Sequence, residues 1–126
     1  MPIPATWSDR LLSVLRIVAG LGFFQHGMSK FFGIPPFTSP LSPLLMTAGA
    51  LEFVGGALII LGLFTRPTAF VLSGMSAVGY FMVHAPGGFF PAANGGEAIM
   101  LYCFVFLFLA AAGGGAWSVD RLRKPV

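Results

Sequence analysis

The pattern of apolar and polar positions divides the chain into four long apolar segments separated by proline or glycine clusters. Each segment approaches the roughly 20 residues that cross the hydrocarbon core of a bilayer as a helix. The breaks fall at Pro35-Pro36, Arg66-Pro67, His84–Gly88 and Gly113–Gly115, and a residue before proline avoids the helical region. The pattern therefore predicts an all-α fold, an integral membrane four-helix transmembrane bundle forming one domain over 1–126. Its helices are expected at about 9–32, 44–64, 68–84 and 95–113, running up-down-up-down.

The composition agrees with a membrane protein. Of the 126 residues, 56% are hydrophobic and 9% are charged, whereas a soluble domain has about 25% charged residues. Too few ionic side chains remain to cover a water-facing surface. The net charge of +3 is scattered, without the basic and aromatic clustering of a nucleic-acid site, so no nucleic-acid partner is expected. The single cysteine, Cys103, excludes an intrachain disulfide and a Cys-x-x-Cys redox pair.

Basic residues flank the predicted helices unevenly. In a four-span threading Lys30 lies on one side, and five residues lie on the other: Arg10, Arg66, Arg121, Arg123 and Lys124. Because Lys and Arg accumulate in cytoplasmic loops, both termini are predicted to face the cytoplasm. A signal peptide is the alternative for the first helix, but no A-x-A-like cleavage site follows it and three further apolar segments do.

Two charged residues lie well inside the predicted helices, where a charge costs roughly 2.5–3.5 kcal/mol on insertion scales and usually has a partner. Glu52 is near the centre of the second helix, and Arg16 is in the cytoplasmic half of the first. The long Arg16 side chain could reach Glu52, which predicts a buried ion pair. The alternative is that Glu52 takes up and releases a proton or binds a polar ligand.

The remaining polar residues collect at the opposite, extracytoplasmic end. His26 and Lys30 are four apart on the first helix, His84 ends the third, and Asn94 and Glu97 begin the fourth. Each has a structural alternative: Lys30 suits a helix C-terminus and can reach the headgroups, Asn94 with Glu97 resembles a capping box, and His84 could simply end its helix. Together with Glu52 these five residues are the candidate ligand or proton sites.

Three kinds of site could use this cluster. Two histidines on different helices could hold haem, and the histidines with Glu97 or Glu52 could bind a transition metal. Haem is not favoured because most lone histidines are not ligands. A metal is not favoured because no tight H-x-x-H or E-x-x-H spacing supports it, and no metal ligands are assigned. A pocket for a flat, lipophilic quinone fits best, because histidine and carboxylate can bond its oxygens and move protons. Four aromatic residues are expected to line it: Phe23, Phe24, Phe89 and Phe90.

Several motifs run through the chain. The first is L-R-I-x-x-G-x-x-F-x-x-H-G-x-x-K, which spans Leu15 to Lys30. Further motifs are Leu51–Gly56, Gly62–Pro67, His84–Pro91, Asn94–Glu97 and Gly115–Asp120.

Together these motifs resemble the DoxX family of small four-span bacterial membrane proteins. The resemblance implies a location in the bacterial cytoplasmic membrane and an association with quinone, thiol-stress or superoxide-defence systems. The positions that it marks as characteristic are Arg16, His26, Lys30, Glu52, His84, Asn94 and Glu97.

The sequence therefore predicts a quinone-linked or redox-partner membrane subunit with a polar pocket on the extracytoplasmic side. If the protein takes part in catalysis, it does so as an oxidoreductase subunit. The expected partners are the lipid bilayer, a lipophilic small molecule, and either further copies of the chain or redox-partner proteins. Two alternatives stay open: a small-molecule or proton-coupled permease in which Glu52 is the coupling carboxylate, and a non-catalytic membrane scaffold for a redox or stress-defence complex.

Overall fold

The computed structural model describes residues 2–123, and within that range every regular element is a helix. Lys124, which contributes to the predicted charge asymmetry, lies outside the described residues. Helix α1 spans Ser8–Phe32, after a short 3-10 turn. It is followed by α2 (Pro43–Leu61), α3 (Thr65–Gly87), the short helical turn Pro91–Asn94, α4 (Glu97–Ala112) and α5 (Val119–Arg123).

Three of these helices are long and apolar enough to cross a membrane. They are α1 with its preceding turn, α2 and α3, of 28, 19 and 23 residues. Helix α4 is also apolar but has 16 residues, which at 1.5 Å per residue is about 24 Å. The all-helical prediction is confirmed. Whether α4 also crosses the bilayer stays a prediction.

The boundary between α2 and α3 differs from the prediction that Arg66-Pro67 ends α2. Helix α2 ends at Leu61, because Gly62 adopts a left-handed conformation (φ 69°), and α3 already begins at Thr65. Pro67 thus lies in the first turn of α3. Proline is tolerated there because its missing N–H would have no helical partner in any case.

Helices α1 and α2 pack antiparallel with very close backbones. A Cβ atom at Gly20 would lie 2.9 Å from the Ile60 nitrogen, one at Gly56 would lie 2.8 Å from the Phe24 nitrogen, and one at Gly27 would lie 2.6 Å from the Phe53 nitrogen. Small residues permit such close packing between membrane helices. The three contacts fix a register in which Glu52 is level with Met28.

The core is apolar and aromatic. Phe23 of α1 packs edge-on against Phe106 and Tyr102 of α4, with ring centroids 4.8 and 5.0 Å apart. Leu72 of α3 and Ile59 of α2 are fully buried beside them. Many large apolar side chains point outward instead, including Val18, 61% exposed, as expected of helices that face lipid tails.

Arg16 connects three separate segments of the chain. Its side chain is 1% exposed. It donates to the Ile59 carbonyl (2.9 Å) near the end of α2, to the Trp117 carbonyl (2.8 Å), and to the Gly114 carbonyl. Ser13, one turn earlier on α1, also donates to Gly114 O (2.9 Å) and accepts from the Trp117 amide (2.9 Å). The guanidinium thereby holds the ends of α1 and α2 and the segment after α4 together.

We expect Arg16→Met to lower the free energy of unfolding by at least about 3 kcal/mol, because several buried carbonyls lose their donor at about 1–3 kcal/mol each. The matched control is Arg10→Met on the same helix, where the arginine is exposed and rests on Trp7; its cost should stay below about 1 kcal/mol. Denaturant unfolding in detergent measures both. Equal losses in the two variants would contradict the role given to Arg16.

Asp120 of α5 caps the first turn of α3. Its carboxylate accepts from the Phe64 amide (2.7 Å) and the Thr65 amide (2.8 Å). These bonds hold Phe64 in a left-handed conformation (φ 52°), which is uncommon for a residue other than glycine. Partial burial raises the pKa of Asp120, but the hydrogen bonds from Thr65 and Phe64 and the Arg123 charge outweigh it and lower the pKa below its usual value.

A carboxyl whose pKa is lower in the folded than in the unfolded protein stabilises the fold at pH values above its unfolded pKa, which is about 3.9 for aspartate. This stabilisation is lost as the pH falls through the folded pKa. Asp120→Ala should therefore cost about 1 kcal/mol at pH 7, and its difference from wild type should shrink as the pH falls below the unfolded value and through the lower folded pKa of Asp120. Unfolding at a series of pH values measures this. A pH-independent difference would contradict the cap. Asp9→Ala, which removes an exposed salt bridge to Arg121, is the control at pH 7 and should cost less than about 1 kcal/mol.

Candidate functional site

A cavity of about 290 Å³ lies between α1, α2, α3 and α4, at the end of the bundle remote from the chain termini. We call it the distal cavity. It brings together His26, Glu52 and His84, three of the predicted site residues that are far apart in the sequence. The rest of its lining is Phe23, Met75, Gly95, Ala98, Ile99 and Tyr102.

Two local distortions of the helices position two of the polar residues of this cavity. Helix α2 contains a π-helical turn over Leu51–Gly55, and α3 contains another over Tyr80–His84. Glu52 lies in the first turn and His84 in the second. A π-turn inserts an extra residue, shifts the side-chain directions and is frequent at functional sites. The apolar periodicity of the sequence did not reveal either turn.

Glu52 pairs with Lys30 in place of the predicted Arg16. The Lys30 ammonium lies 2.7 Å from Glu52 Oε1, and the two side chains are 10% and 11% exposed. The prediction of an Arg16–Glu52 pair is wrong because of the α1–α2 register: Glu52 is level with Met28, twelve residues from Arg16, or about 18 Å along the helix. Lys30 turns inward to this partner, and its ammonium also lies 5.4 Å from the centre of the Phe37 ring.

His84 is oriented by the loop that precedes α4. Its Nδ1 lies 3.2 Å from the Asn94 carbonyl oxygen. Because a carbonyl can only accept, Nδ1 donates, and in the neutral ring Nε2 is then the acceptor. The Asn94 side chain in turn donates to Tyr80 Oη (3.1 Å) and to the Gly88 carbonyl (3.0 Å). Asn94 therefore supports the site without lining the cavity.

The predicted capping box of Asn94 and Glu97 is wrong. The Asn94 side-chain oxygen accepts from the Gly96 amide (2.8 Å), and Gly96 itself is the residue that precedes α4. Two glycines, Gly95 and Gly96, separate Asn94 from the helix and place its side chain in a local turn. Glu97 is exposed at the start of α4 and is outside the cavity lining.

One of the four aromatic residues expected at the pocket lines it. Phe23 does so, whereas Phe24 stacks on Phe53 with centroids 4.6 Å apart. Phe89 and Phe90 are 84% and 69% exposed and pack against each other.

The aromatic residue that sequence reasoning missed is Tyr102. Its hydroxyl lies against Gly22, where any side chain would collide with it, and its ring lines the cavity beside Phe23. The sequence does contain a signal for this residue, because a tyrosine, whose hydroxyl is polar, lies within the most apolar helix. Within residues 2–123, no three His, Cys, Asp or Glu side chains are grouped so that they could hold one metal ion.

The Lys30–Glu52 pair predicts strong energetic coupling. Removing one partner leaves the other as an unpaired charge in a mostly buried site, which costs about 3 kcal/mol. Lys30→Met and Glu52→Gln should each destabilise the protein more than the double substitution does. A double-mutant cycle of unfolding in detergent measures the coupling. The exposed Asp9–Arg121 pair is the comparison and should show at most about 1 kcal/mol; additivity at Lys30 and Glu52 would contradict the buried pair.

Comparison with known proteins shows the family. The DoxX family model matches residues 11–85. An uncharacterized protein of Haemophilus influenzae is 44% identical over 118 residues, covering 87% of this chain and 88% of its own. The Inner membrane protein YqjF of Escherichia coli is 33% identical over 125 residues, covering 89% and 85%.

A third relative matches only part of the chain. It is a Bacillus subtilis protein named Putative oxidoreductase CatD, 42% identical over 59 residues, which cover 42% of this chain and 44% of that protein. No solved structure gives a significant match. The family match and the inner-membrane relative agree with the three membrane-length helices. This chain belongs to the DoxX family and is a multi-pass protein of the bacterial inner membrane.

Proposed function

We propose that the protein is a quinone-binding membrane subunit of an oxidoreductase system and that the distal cavity holds the quinone head group. The observation that carries the proposal is the composition of this cavity. His26, Glu52, His84 and Tyr102 project among apolar side chains into one space of about 290 Å³. Ligand pockets combine a mostly apolar lining with a few polar groups in this way.

The cavity offers a route from the bilayer. His26 and Ala98 are exposed at its edge, on α1 and α4. A lipophilic ring could enter between these helices without leaving the membrane. Phe23 and Tyr102, whose rings meet edge-on, provide the aromatic wall against which a flat ring can pack.

The polar groups suit the oxygens of a quinone. A bound quinone or quinol supplies the redox chemistry, exchanging two electrons with a redox-partner protein and two protons with its surroundings. The Tyr102 hydroxyl can donate to an oxygen, and His84 Nε2 can accept a proton from one because Nδ1 is bonded to Asn94. Glu52, held beside Lys30, can accept a hydrogen bond from a quinol hydroxyl at the cavity wall.

The name of the partial relative CatD supports the oxidoreductase class. The permease alternative requires Glu52 as a free coupling carboxylate, and the bond to Lys30 weighs against it. A scaffold without a ligand becomes the leading function if the following test fails.

We expect a short-chain ubiquinone analogue to raise the apparent melting temperature of the purified protein in nanodiscs, because a ligand that binds only the folded state stabilises it. His26→Ala, His84→Ala and Tyr102→Phe should each remove most of this increase. The matched control is Gln25→Ala, since Gln25 is an exposed polar neighbour of His26 outside the cavity lining; it should retain the increase.

Two results of this experiment would contradict the quinone site. If quinone leaves the melting temperature of the wild type unchanged, or if the three variants behave like Gln25→Ala, the distal cavity is not a quinone site. An absorption band of haem that disappears in either histidine variant would instead favour the haem alternative.

We also propose that α4 crosses the bilayer, so that the four long helices run up-down-up-down with both termini in the cytoplasm. The support is the five-to-one distribution of flanking Lys and Arg. Cysteine labelling in sealed vesicles should reach Ala92 from the periplasmic face and Ala5 from the cytoplasmic face. Labelling of Ala92 from the cytoplasmic face alone would overturn this topology.

A further inference from the structure

Two apolar grooves lie between the helix pairs of the bundle. Helices α1 and α2 are joined by the close glycine contacts described above, and α3 and α4 by the Ser73 hydroxyl, which donates to the Cys103 carbonyl (2.7 Å). One groove, of about 260 Å³, lies between α1 and α4, and the other, also of about 260 Å³, lies between α2 and α3. We call them the α1–α4 groove and the α2–α3 groove.

The α1–α4 groove is continuous with the distal cavity. Ala98 and Tyr102 line both spaces, so the tyrosine stands where one passes into the other. The other lining residues of the groove are aliphatic: Leu15, Val18 and Ala19 on α1, and Leu101 and Val105 on α4. The polar side chains of the distal cavity are therefore joined to an apolar path along the bundle.

The α2–α3 groove lacks this connection. Among the residues that the structure describes, the linings of the α2–α3 groove and the distal cavity have no member in common. Gly55 and Leu72 close the groove toward the core, since a Cβ at Gly55 would lie 2.9 Å from Leu72 Cδ2. The two grooves have the same volume and are both mainly apolar, so what distinguishes them is the connection to a polar site.

This difference indicates the chemistry of the occupant. A lipid acyl chain can cover either groove equally well, because it needs only apolar surroundings. A molecule with a polar ring at the end of an apolar tail is matched by the α1–α4 groove, where the tail has an aliphatic wall and the ring has the distal cavity beyond Tyr102. Ligand sites combine apolar and polar parts in this way.

A further space lengthens the path. It has a volume of about 470 Å³ and shares Leu15 with the α1–α4 groove. Its lining residues are Ser8, Asp9, Leu11, Leu12, Leu15 and Phe108. Ala98 and Phe108, which mark the two ends of the path on α4, are ten residues apart, or about 15 Å along the helix. A tail of several isoprene units can extend along this distance.

We propose that the ligand of the distal cavity is a long-chain isoprenoid quinone whose tail lies in the α1–α4 groove. The assignment rests on the proposed quinone site and adds the class of quinone, a lipid-soluble one from the membrane. Lipid tails are as apolar as leucine, so the tail gains little by leaving the lipid. Its contribution is to hold the ring at the entrance of the distal cavity, which reduces the freedom lost when the ring binds.

Thermal unfolding in nanodiscs separates the ring from the tail. The probes are the tail-free ubiquinone ring and decylubiquinone, which adds an alkyl tail. Both should raise the apparent melting temperature of the wild type, decylubiquinone by several degrees more. Val18→Trp and Leu101→Trp, which fill the groove, should each remove at least half of this extra increase and retain the increase due to the ring. Val18 and Leu101 are 61% and 56% exposed, so a larger side chain does not enter the core.

Val71→Trp is the matched control. It makes the same change as Val18→Trp at a residue that is 51% exposed and lines the α2–α3 groove, and it should retain both increases. If Val18→Trp and Leu101→Trp keep the whole extra increase, or if Val71→Trp loses as much of it, the tail is not in the α1–α4 groove and this proposal alone is overturned. If neither probe raises the melting temperature of the wild type, the quinone site itself is wrong, and the tail assignment with it.

Photo-crosslinking of the wild type does not depend on the folding of any variant. A ubiquinone analogue with a diazirine in its tail should label peptides containing Val18 and Leu101 several-fold more than the peptide containing Val71, and excess decylubiquinone should suppress this labelling. Equal labelling of the two grooves, or labelling of the α1–α4 groove by a diazirine phospholipid that decylubiquinone does not displace, would assign the groove to acyl chains. A lower molar mass of Val18→Trp than of wild type in detergent would assign it to a second copy of the chain. Either result overturns the proposal.

Discussion

The arrangement of the other segments depends on the hydrogen bonds that the buried Arg16 guanidinium donates. Arginine carries five N–H donors in a planar fork and stays charged, so a single buried side chain can satisfy carbonyls that face it from several directions. Here it donates hydrogen bonds to the carbonyls of Ile59, Gly114 and Trp117. Two of these carbonyls belong to the irregular segment after α4. Water could not reach them in this buried position, and a hydrophobic residue could not satisfy them.

The contacts around Arg16 also hold the neighbouring parts in place. A Cβ at Gly62 would lie 2.9 Å from the guanidinium carbon, so the residue that ends α2 must be small as well as left-handed. The segment that Arg16 secures leads directly into α5, whose Asp120 caps α3. The position of α3 thus depends on Arg16 through the chain that it binds.

The sequence predicted the helical fold, the family and three polar residues of the distal cavity, His26, Glu52 and His84. These follow from apolar segment length, from motifs and from the cost of polar groups in a membrane. It did not predict which basic residue pairs with Glu52. Counting inward from the predicted helix ends placed Arg16 a few residues short of Glu52 in depth, within reach of its long side chain. The close contacts at Gly20, Gly56 and Gly27 set a different register, in which Lys30 is the nearer partner. Such a register depends on backbone contacts that hydrophobic periodicity does not encode.

The π-turns explain how an almost wholly apolar bundle can contain a polar cavity. In a bilayer every backbone N–H and C=O must be bonded internally, because no water replaces a lost bond. A loop or a break at Glu52 or His84 would leave such groups unpaired, whereas a π-turn redirects the side chain while the backbone stays hydrogen-bonded. Both turns open onto the distal cavity, one from α2 and one from α3. Straightening either turn would rotate its polar residue away from the cavity, so the distortions and the cavity belong to one structural feature.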